Sequence, residues 1–208
     1  MKGMFISFEG IDGSGKTTQA ERLHRRFVAH GHTVHLLREP GGTHVGERIR
    51  SILLDKNHTD MSFLTELFLY LAARAQITSH IIVPALEKGD IVIVDRFIDS
   101  TTAYQGYARG FDIDEIQHLN FLATSGLVPD MTFVIDCEPS VAFSRVDREP
   151  DRLESEGLDF MQKVREGFVK LCEAYPKRMI LIDGNRDSDS VEKDISHHIH
   201  HSFDAASW

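Results

Sequence analysis

A segment of eight residues near the N-terminus carries the pattern of a phosphate-binding loop. Residues 10–17 read GIDGSGKT and match the consensus G-x-x-x-x-G-K-[S/T] in full. Glycines let the backbone curl so that its N–H groups point at phosphate oxygens, and a helix that begins near Lys16 adds its positive dipole end. Lys16 can reach the terminal phosphates, and the Thr17 hydroxyl can ligate Mg²⁺. The predicted ATP site comprises Gly10, Ile11, Asp12, Gly13, Ser14, Gly15, Lys16, Thr17 and Thr18.

A second acidic element follows further along the chain. Residues 91–95 read IVIVD, an apolar strand that ends in a carboxylate, and the Asp95 carboxylate fits the acid that helps to hold Mg²⁺ in P-loop enzymes. Many strands end in Asp for structural reasons, so that alternative stays open. Arg96 follows directly, where motor-type ATPases usually carry a second acid. A cation there indicates a second anion beside the γ-phosphate, namely an acceptor that carries its own phosphate.

These residues need elements that bring them to one place. Short runs of Val, Ile, Leu, Met and Phe alternate with longer helical stretches, which is typical of strands buried on both faces of a parallel sheet. We predict strands over Met4–Phe8, Thr33–Leu37, Ile91–Val94, Met131–Ile135 and Met179–Ile182. We predict helices over Lys16–His30, Phe63–Glu87, Ile113–Ser125, Leu158–Ala174 and Ser190–Ser202. The alternation predicts a doubly wound α/β domain, in which ligands gather at the carboxyl ends of the strands.

Length, charge and composition limit the class of protein. The chain has 208 residues, enough for a sizeable core, and predicts one domain over residues 1–208. Its net charge of -9 argues against binding to nucleic acid or anionic membranes, which needs a basic surface. The two cysteines are too few for a disulfide framework, no run of about 18 apolar residues predicts a membrane span, and the N-terminus does not resemble a signal peptide. We therefore expect a cytoplasmic protein with neither a nucleic-acid nor a membrane partner.

Four motifs follow one another in a fixed order along the chain. They are FEGIDGSGKTTQ at residues 8–19, REPGGT at 38–43, DRFIDSTTAYQG at 95–106 and DRLE at 151–154. In this order they resemble the thymidylate kinases, which transfer phosphate from ATP to dTMP, and the resemblance covers essentially the whole chain. It implies a P-loop NTPase fold with three layers, in which helices flank a five-stranded parallel sheet and a mobile lid covers about residues 145–156. It also implies a homodimer, with Phe63–Leu71 apolar enough to contribute to its interface.

On the acceptor side, the resemblance implies contacts to the phosphate and to the base. Arg96 is expected to bind the acceptor phosphate, for which a planar guanidinium is well suited. Tyr70 and Arg74 lie four residues apart and share a helix face. The resemblance implies that the ring stacks on thymine and that the arginine bonds a base carbonyl. The family usually has Phe at this place, so the Tyr70 hydroxyl needs a partner of its own.

Further acceptor contacts are implied in the same way. Ser100 and Thr101 resemble the polar pair that reads the thymine edge, with N-capping of a following helix as the structural alternative. Tyr104 resembles the residue that closes the space beside the sugar C2′. The remaining expected acceptor residues are Asp12, Arg38, Glu39, Pro40 and Gln105. A cis peptide before Pro40 is also implied, and for Asp12 local capping of the loop is the alternative.

The charged segment FSRVDREPDRLESE, residues 143–156, occupies the lid position of nucleoside-monophosphate kinases. The alternative interpretation of this segment is a solvated loop without a role in the site. Thymidylate kinases carry the arginine that stabilises the transferring phosphoryl group either in the P-loop or in the lid. The variable positions of this P-loop hold no base, so the resemblance implies that the lid supplies it. We expect Arg148 or Arg152 in that role and Arg145 beside adenine.

The resulting hypothesis is a kinase that transfers the γ-phosphate of ATP to dTMP and gives dTDP and ADP. We expect Lys16, Arg96, Arg148 and Arg152 to be catalytic, and we expect Mg²⁺ on Thr17 and Asp95. The acceptor phosphate is already anionic, so positioning and charge neutralisation replace a strong general base. The alternatives are a kinase of another acceptor, such as a deoxynucleoside or UMP, and a GTP-dependent switch or regulatory ATPase. A GTPase would need an N-K-x-D motif, which the sequence lacks.

Overall fold

Five parallel strands form one sheet in the order β2-β3-β1-β4-β5. The computed structural model describes residues 3–149 and 151–202, and the side chains of these residues up to position 200. The strands are β1 Met4–Glu9, β2 Val34–Arg38, β3 Ile91–Asp95, β4 Met131–Asp136 and β5 Met179–Asp183. Every predicted strand is confirmed to within one residue at each end. The prediction succeeded because the central strands are buried on both faces and their sequence is apolar throughout.

Helices cover both faces of this sheet. They are α1 Lys16–Ala29, α2 His44–Leu54, α3 Phe63–Ile77, α4 Val83–Lys88, α5 Ile98–Thr101, α6 Ile113–Thr124, α7 Pro139–Ser144, α8 Leu158–Ala174 and α9 Ser188–Ser202. Of these helices, α2, α5 and α7 lie outside the predicted helical ranges. The start of α2 carries a local signal, because the Thr43 hydroxyl accepts a hydrogen bond from the Gly46 N–H at 2.9 Å as an N-cap.

The predicted helix over Phe63–Glu87 is three segments rather than one. α3 passes into a π-helical turn, Thr78–Ile82, and then into α4. Pro84 lies in the first turn of α4. Proline has no N–H to donate and its ring clashes with the carbonyl one turn earlier, so a regular α-helix cannot continue through it. The π-helical turn before α4 therefore accommodates Pro84.

The same run bears on the expectation that no membrane span exists. By length and composition, the 26 residues of Phe63–Lys88 could cross a membrane, with a mean hydropathy of 1.2 in their most apolar window. In the fold, however, Ile77, Ile82 and Leu86 of this run pack against Phe5 and Val92 of the sheet. The run also buries Glu66 and Arg74, which are ion-paired with other elements. One face of the run therefore packs onto the sheet, and 39% of its most apolar window is buried.

The core consists of a layer on each side of the sheet. On one side, Phe8 and Phe133 of the sheet meet Leu23 and Phe27 of α1, and α9 adds its own apolar residues. On the other side, the π-helical turn Thr102–Ala108 packs against α8 beneath β4. The loops with the sequence motifs start at the carboxyl ends of β1, β2 and β3.

Candidate active site

The P-loop follows β1 at the centre of the sheet, and its glycines have a structural reason. Gly13 has a φ of +81°, and a Cβ on it would collide with the Ala142 carbonyl of α7. Gly15, at φ +99°, is the N-cap of α1, so the N–H groups at the start of that helix open onto the loop. The Ser14 hydroxyl is buried and has no hydrogen-bond partner among the described residues. The loop therefore offers unused donors to an anion.

Two basic residues converge on the carboxylate of Asp12 within this loop. Lys16 Nζ lies 3.0 Å from Asp12 Oδ1, and Arg96 Nη2 lies 2.8 Å from the same oxygen. Burial alone would raise the pKa of Asp12, but the charges of Arg96 and Lys16 outweigh burial and hold this pKa well below its usual range. Asp12 thus stays ionised and keeps both cations at the mouth of the loop. Asp12 therefore does more than cap its own loop, because its bonds join the loop to Arg96.

Thr17 and Asp95 meet as the sequence predicts. The Thr17 hydroxyl donates a hydrogen bond to Asp95 Oδ2. Asp95 Oδ1 is buried and has no hydrogen-bond partner among the described residues. Magnesium prefers a few protein oxygens and keeps several waters. An orphaned carboxylate oxygen beside a hydroxyl therefore fits the protein part of a Mg²⁺ site.

A second group of carboxylates, Asp12, Asp151 and Glu154, lies within 4.8 Å from atom to atom. Each of them has partners in the protein. Asp12 bonds Lys16 and Arg96, Asp151 accepts from two backbone N–H groups, and Glu154 binds Arg148 through both oxygens at 2.7 Å. These bonds account for the group without an ion.

One pocket at the carboxyl ends of β2 and β3 collects most residues expected on the acceptor side, and we call it the acceptor pocket. Its lining includes Asp12, Glu39, Pro40, Tyr70, Arg74, Arg96, Ser100, Thr101, Tyr104 and Gln105. The lid adds Arg148, Asp151 and Leu153. Arg38 is the expected residue that does not line it, because its half-exposed side chain turns to Glu47, 2.9 Å away.

Arg96 is fixed at the base of this pocket. Its Nη1 donates to the Gly10 carbonyl at 2.9 Å and to Ser100 Oγ at 3.2 Å. Its guanidinium also lies 5.2 Å from the centre of the Tyr104 ring. Its φ of +71° lies in the left-handed region, which a side chain other than glycine rarely occupies. Such a backbone conformation persists only where surrounding contacts hold it in place, and the contacts of the Arg96 side chain have this effect.

Arg74 is the most completely bonded cation of the pocket. Its Nε and Nη2 donate to the Glu39 carboxylate, Nη1 donates to Thr101 Oγ1 at 2.8 Å and Asn120 Oδ1 at 2.5 Å, and Nη2 also donates to the Phe97 carbonyl. A guanidinium has five N–H donors, and all five have acceptors here. A bond to a thymine carbonyl would therefore have to replace one of these five hydrogen bonds.

The peptide bond between Glu39 and Pro40 is cis, as expected.

Thr101 directly precedes the π-helical turn but makes no side-chain cap bond there, and Ser100 lies inside α5, so neither side chain N-caps a helix. The N-cap of α5 is Phe97, which brings no side-chain bond of its own. Its N–H donates instead to Glu9 Oε1 at 2.7 Å, and Ser100 Oγ donates to Glu9 Oε2. Glu9, fully buried at the end of β1, was not singled out from the sequence. Burial, assisted by the charge of Asp99, raises the pKa of Glu9 to about 8.

Arg50 of α2 is a second pocket residue that sequence reasoning missed. It lines the acceptor pocket and donates from Nη1 to the Pro40 carbonyl at 3.0 Å. Burial, together with the charges of Arg38 and Arg96, lowers its pKa. Since α2 was not predicted, the direction of its side chains could not be assigned. Arg50 and Arg96 make this pocket attractive to an anion.

A separate cleft, here called the donor cleft, lies between the P-loop and the lid. Its lining is Asp12, Gly13, Gly15, Lys16, Thr17, Thr18, Arg145, Val146, Asp147 and Arg148. Arg145 donates from Nη1 to the Gly184 carbonyl at 2.8 Å and from Nη2 to the Asn185 carbonyl at 3.3 Å. Arg145 is thereby fixed at the end of β5, on the edge of the sheet away from the acceptor pocket.

Arg148 and Arg152, the two candidates for the phosphoryl-stabilising arginine, point to different places. Arg148 lines both the acceptor pocket and the donor cleft, and its side chain is half exposed. Arg152 lines neither of them. Its Nε donates to the Leu53 carbonyl at 2.9 Å, and its Nη2 lies 2.6 Å from Glu66 Oε2 in an ion pair without hydrogen-bond alignment. Pro150, within the predicted lid, lies outside the described residues.

Comparison with known proteins identifies close relatives. A family model described as thymidylate kinase matches residues 8–195. A thymidylate kinase of Thermoanaerobacter sp. (strain X514) is 52% identical over 196 residues, which cover 94% of this chain and 96% of that protein. One of Geobacter sp. (strain M21) is 47% identical over 193 residues, with 89% and 86% covered. The crystal structure of a thymidylate kinase from Ehrlichia chaffeensis is similar with a TM-score of 0.80 at 36% identity, over 96% of this chain and 99% of that one.

Proposed function

The chain belongs to the thymidylate kinase family, and on that premise we propose that the donor cleft binds ATP and the acceptor pocket binds dTMP. The reaction is transfer of the γ-phosphate of ATP to dTMP, which gives dTDP and ADP. The family, the P-loop fold and this reaction are confirmed as the sequence predicts them. The roles of the individual residues are the subject of the proposal.

One observation carries the assignment of the two sites. Asp12 and Arg148 line both the donor cleft and the acceptor pocket, so the two cavities share a boundary. A phosphoryl group can pass directly from one bound nucleotide to the other at that boundary. Such direct transfer needs the two phosphates to be held close together and in line.

On the donor side, the P-loop N–H groups and Lys16 hold the phosphates of ATP. Thr17 and Asp95 hold Mg²⁺, for which the unpartnered Asp95 Oδ1 offers a ligand. When bound, the ion neutralises charge on the phosphate oxygens. Arg145, fixed against the end of β5, forms the wall beside the adenine.

On the acceptor side, Arg96 and Arg50 bind the phosphate of dTMP. Arg96 is supported by its bonds to Gly10 and Asp12, which aim it at the end of the P-loop. Tyr70 and Tyr104 line the rest of the pocket and supply aromatic faces to the base and to the deoxyribose. Gln105 and Thr101 supply polar groups at the base edge, and Arg74 fixes the position of Thr101. A ring beside C2′ leaves no room for a ribose hydroxyl, so the pocket favours a deoxynucleotide.

Arg148 is the arginine that stabilises the transferring phosphoryl group. It stands at the boundary of the two cavities, whereas Arg152 is held at Leu53 and Glu66. Charge on the moving group is highest in the transition state, so a cation there lowers the barrier more than it strengthens ground-state binding. Glu154 holds Arg148 ready through a bidentate ion pair.

We extend the proposal to a cytoplasmic homodimer. Phe63, Leu64 and Phe68 of α3 are 49%, 49% and 52% exposed, and Phe121 and Leu122 of α6 are 61% and 60% exposed. α3 and α6 pack against each other, so these side chains belong to neighbouring surfaces. Large exposed apolar groups in one region are typical of a surface that binds a partner.

A panel of acceptors tests this function. ADP formation is measured with Mg·ATP and dTMP, dUMP, UMP or thymidine at equal concentration. We expect the highest kcat/KM with dTMP and the lowest with UMP and thymidine, which carry a ribose hydroxyl or lack the phosphate. Preference for thymidine or UMP would overturn the assignment of the acceptor pocket.

A further inference from the structure

Glu66 occupies a buried position between the acceptor pocket and the lid, and the reaction itself gives it no role. It lies on α3, one turn before Tyr70 and two before Arg74, so the three share the helix face that turns to the pocket. Its side chain is 1% exposed. An ionised carboxylate in such a place needs nearby cations or hydrogen-bond donors.

Three side chains from two other segments meet this carboxylate. Gln105 Nε2 donates to Oε1 at 2.9 Å, Arg109 Nη2 lies 3.5 Å from Oε2, and Arg152 Nη2 lies 2.6 Å from Oε2. Gln105 and Arg109 belong to the segment that carries the acceptor residues, whereas Arg152 belongs to the lid. Glu66 is therefore a direct link between the lid and the acceptor half of the molecule.

Arg109 reinforces this link through a second lid residue. Its Nη2 donates to Glu156 Oε1 at 2.7 Å. Its guanidinium lies 4.2 Å from the ring centre of Phe63 and 4.8 Å from that of Phe160. Stacking between two rings fixes its orientation. Arg109 thus contacts Glu66 and the lid residue Glu156 at the same time.

We propose that Glu66 is the positioning residue that holds the lid closed over the acceptor pocket, because its carboxylate anchors Arg152 and so keeps Arg148 facing the P-loop. Arg148 and Arg152 are four residues apart, with Asp151 and Leu153 of the same segment already in the wall of the pocket. Anchoring at Arg152 therefore fixes the segment that carries the phosphoryl-stabilising cation. Glu66 itself touches neither nucleotide and acts through the lid.

The link between Glu66 and the lid also extends to the acceptor pocket through Gln105. Gln105 lines that pocket and bonds Glu66 in the same conformation. A base that orders Gln105 thereby orders Glu66 and favours the closed lid. The acceptor then favours the arrangement needed for its own phosphorylation. This coupling rests on the proposed function of the acceptor pocket.

The test is the variant Glu66→Gln, which keeps the shape and removes the charge. We expect faster hydrogen–deuterium exchange in the nucleotide-free protein over residues 151–157, by about 10-fold or more, since loss of a buried ion-pair partner is strongly destabilising. Exchange over α8 should stay unchanged. In turnover, we expect kcat to fall roughly 10- to 100-fold with a smaller change in the KM for dTMP. The fraction of ATP hydrolysed to ADP and phosphate without dTDP should rise, because an open lid admits water.

Two further variants make the result decisive. Arg152→Gln removes the other partner and should give the same increase in exchange, also if Glu66→Gln does not fold. Glu192→Gln is the matched control, because Glu192 is ion-paired with Arg22 on α1, far from the lid, and should change nothing. Unchanged exchange over residues 151–157 in both lid-link variants, with unchanged partition of ATP, would overturn the proposal. Exchange is measured without substrate, so a wild-type protein inactive toward dTMP would reject the proposed function and leave this result standing.

Discussion

Arg74 and Glu39 form an ion pair in which each side chain is 1% exposed. The pair joins α3 to the turn after β2, and Thr101, Asn120 and the Phe97 carbonyl take the remaining donors of the arginine. Burial raises the pKa of Glu39 even though Arg74 opposes this change. The wall of the acceptor pocket therefore depends on a buried charge that, within residues 3–149 and 151–200, Arg74 compensates at close range.

The first prediction concerns this pair. Arg74→Ala leaves Glu39 buried without its cation, and loss of one partner of a buried pair costs about 3–5 kcal/mol. Urea unfolding of the nucleotide-free protein measures this loss. The double variant Glu39→Leu with Arg74→Met removes both charges and should recover much of the stability. If Arg74→Ala lowers the free energy of unfolding by less than about 1 kcal/mol, the Glu39 charge has another partner and the prediction is wrong.

The second prediction separates the two lid arginines. Arg148→Ala should lower kcat by about 10³-fold or more, as loss of a phosphoryl-stabilising arginine does in related chemistry. Arg152→Ala should lower kcat less, by roughly 10- to 100-fold, because it acts only by positioning the lid. Steady-state kinetics at saturating ATP and dTMP measure both. An equal or larger loss in Arg152→Ala, without a change in lid exchange, would reverse the two roles.

The third prediction uses the pKa of Glu9, which burial raises from 4.5 to about 8. A raised pKa means that the folded state binds the proton more tightly, so the stabilising contribution is complete below about pH 4.5 and is lost as the pH rises through about 8. Between these limits, wild type should lose stability relative to Glu9→Gln by up to about 1.4 kcal/mol per pH unit. Urea unfolding at several pH values gives the two slopes. Glu21→Gln, at an exposed position of α1, is the control. Parallel slopes for wild type and Glu9→Gln would contradict the prediction.

The fourth prediction concerns the apolar surface of α3 and α6. Phe68→Glu places a charge on it and should convert a dimer to a monomer in sedimentation equilibrium, with little change in the unfolding of the monomer. Val28→Glu is the matched control, since Val28 is 49% exposed on α1 at the other face of the sheet. A wild-type protein that is monomeric at micromolar concentration would rule out the homodimer.

The parts of the fold that could be predicted are those with local causes. Strands buried on both faces are apolar throughout, and the P-loop is contiguous, so Lys16 and Thr17 could be assigned from spacing alone. Asp95 could be placed because it ends such a strand. In each of these cases the local sequence pattern was enough to assign the residue, although Asp95 meets Thr17 only across the sheet.

The residues that escaped prediction have distant causes. Glu9 acts on Phe97 and Ser100, which lie some 90 residues further along the chain. Glu66 meets Arg109 and Arg152, which belong to segments distant from it in sequence. Sequence could name Arg148 and Arg152 as equal alternatives, because only the fold shows that Leu53 and Glu66 draw Arg152 aside. Arg50 was missed with its helix.

The backbone of Arg96 gives the site a further property. A residue with a side chain at φ +71° carries conformational strain, which a glycine at the same position would relieve. A glycine at position 96 would suit the local backbone better than arginine but could not hold a phosphate. A glycine there would also leave the Asp12 carboxylate without one of its two cations, which costs stability. The bonds of Arg96 to Asp12, Gly10 and Ser100 oppose this strain, so the same side chain that is proposed to bind the acceptor phosphate also holds its own backbone in place.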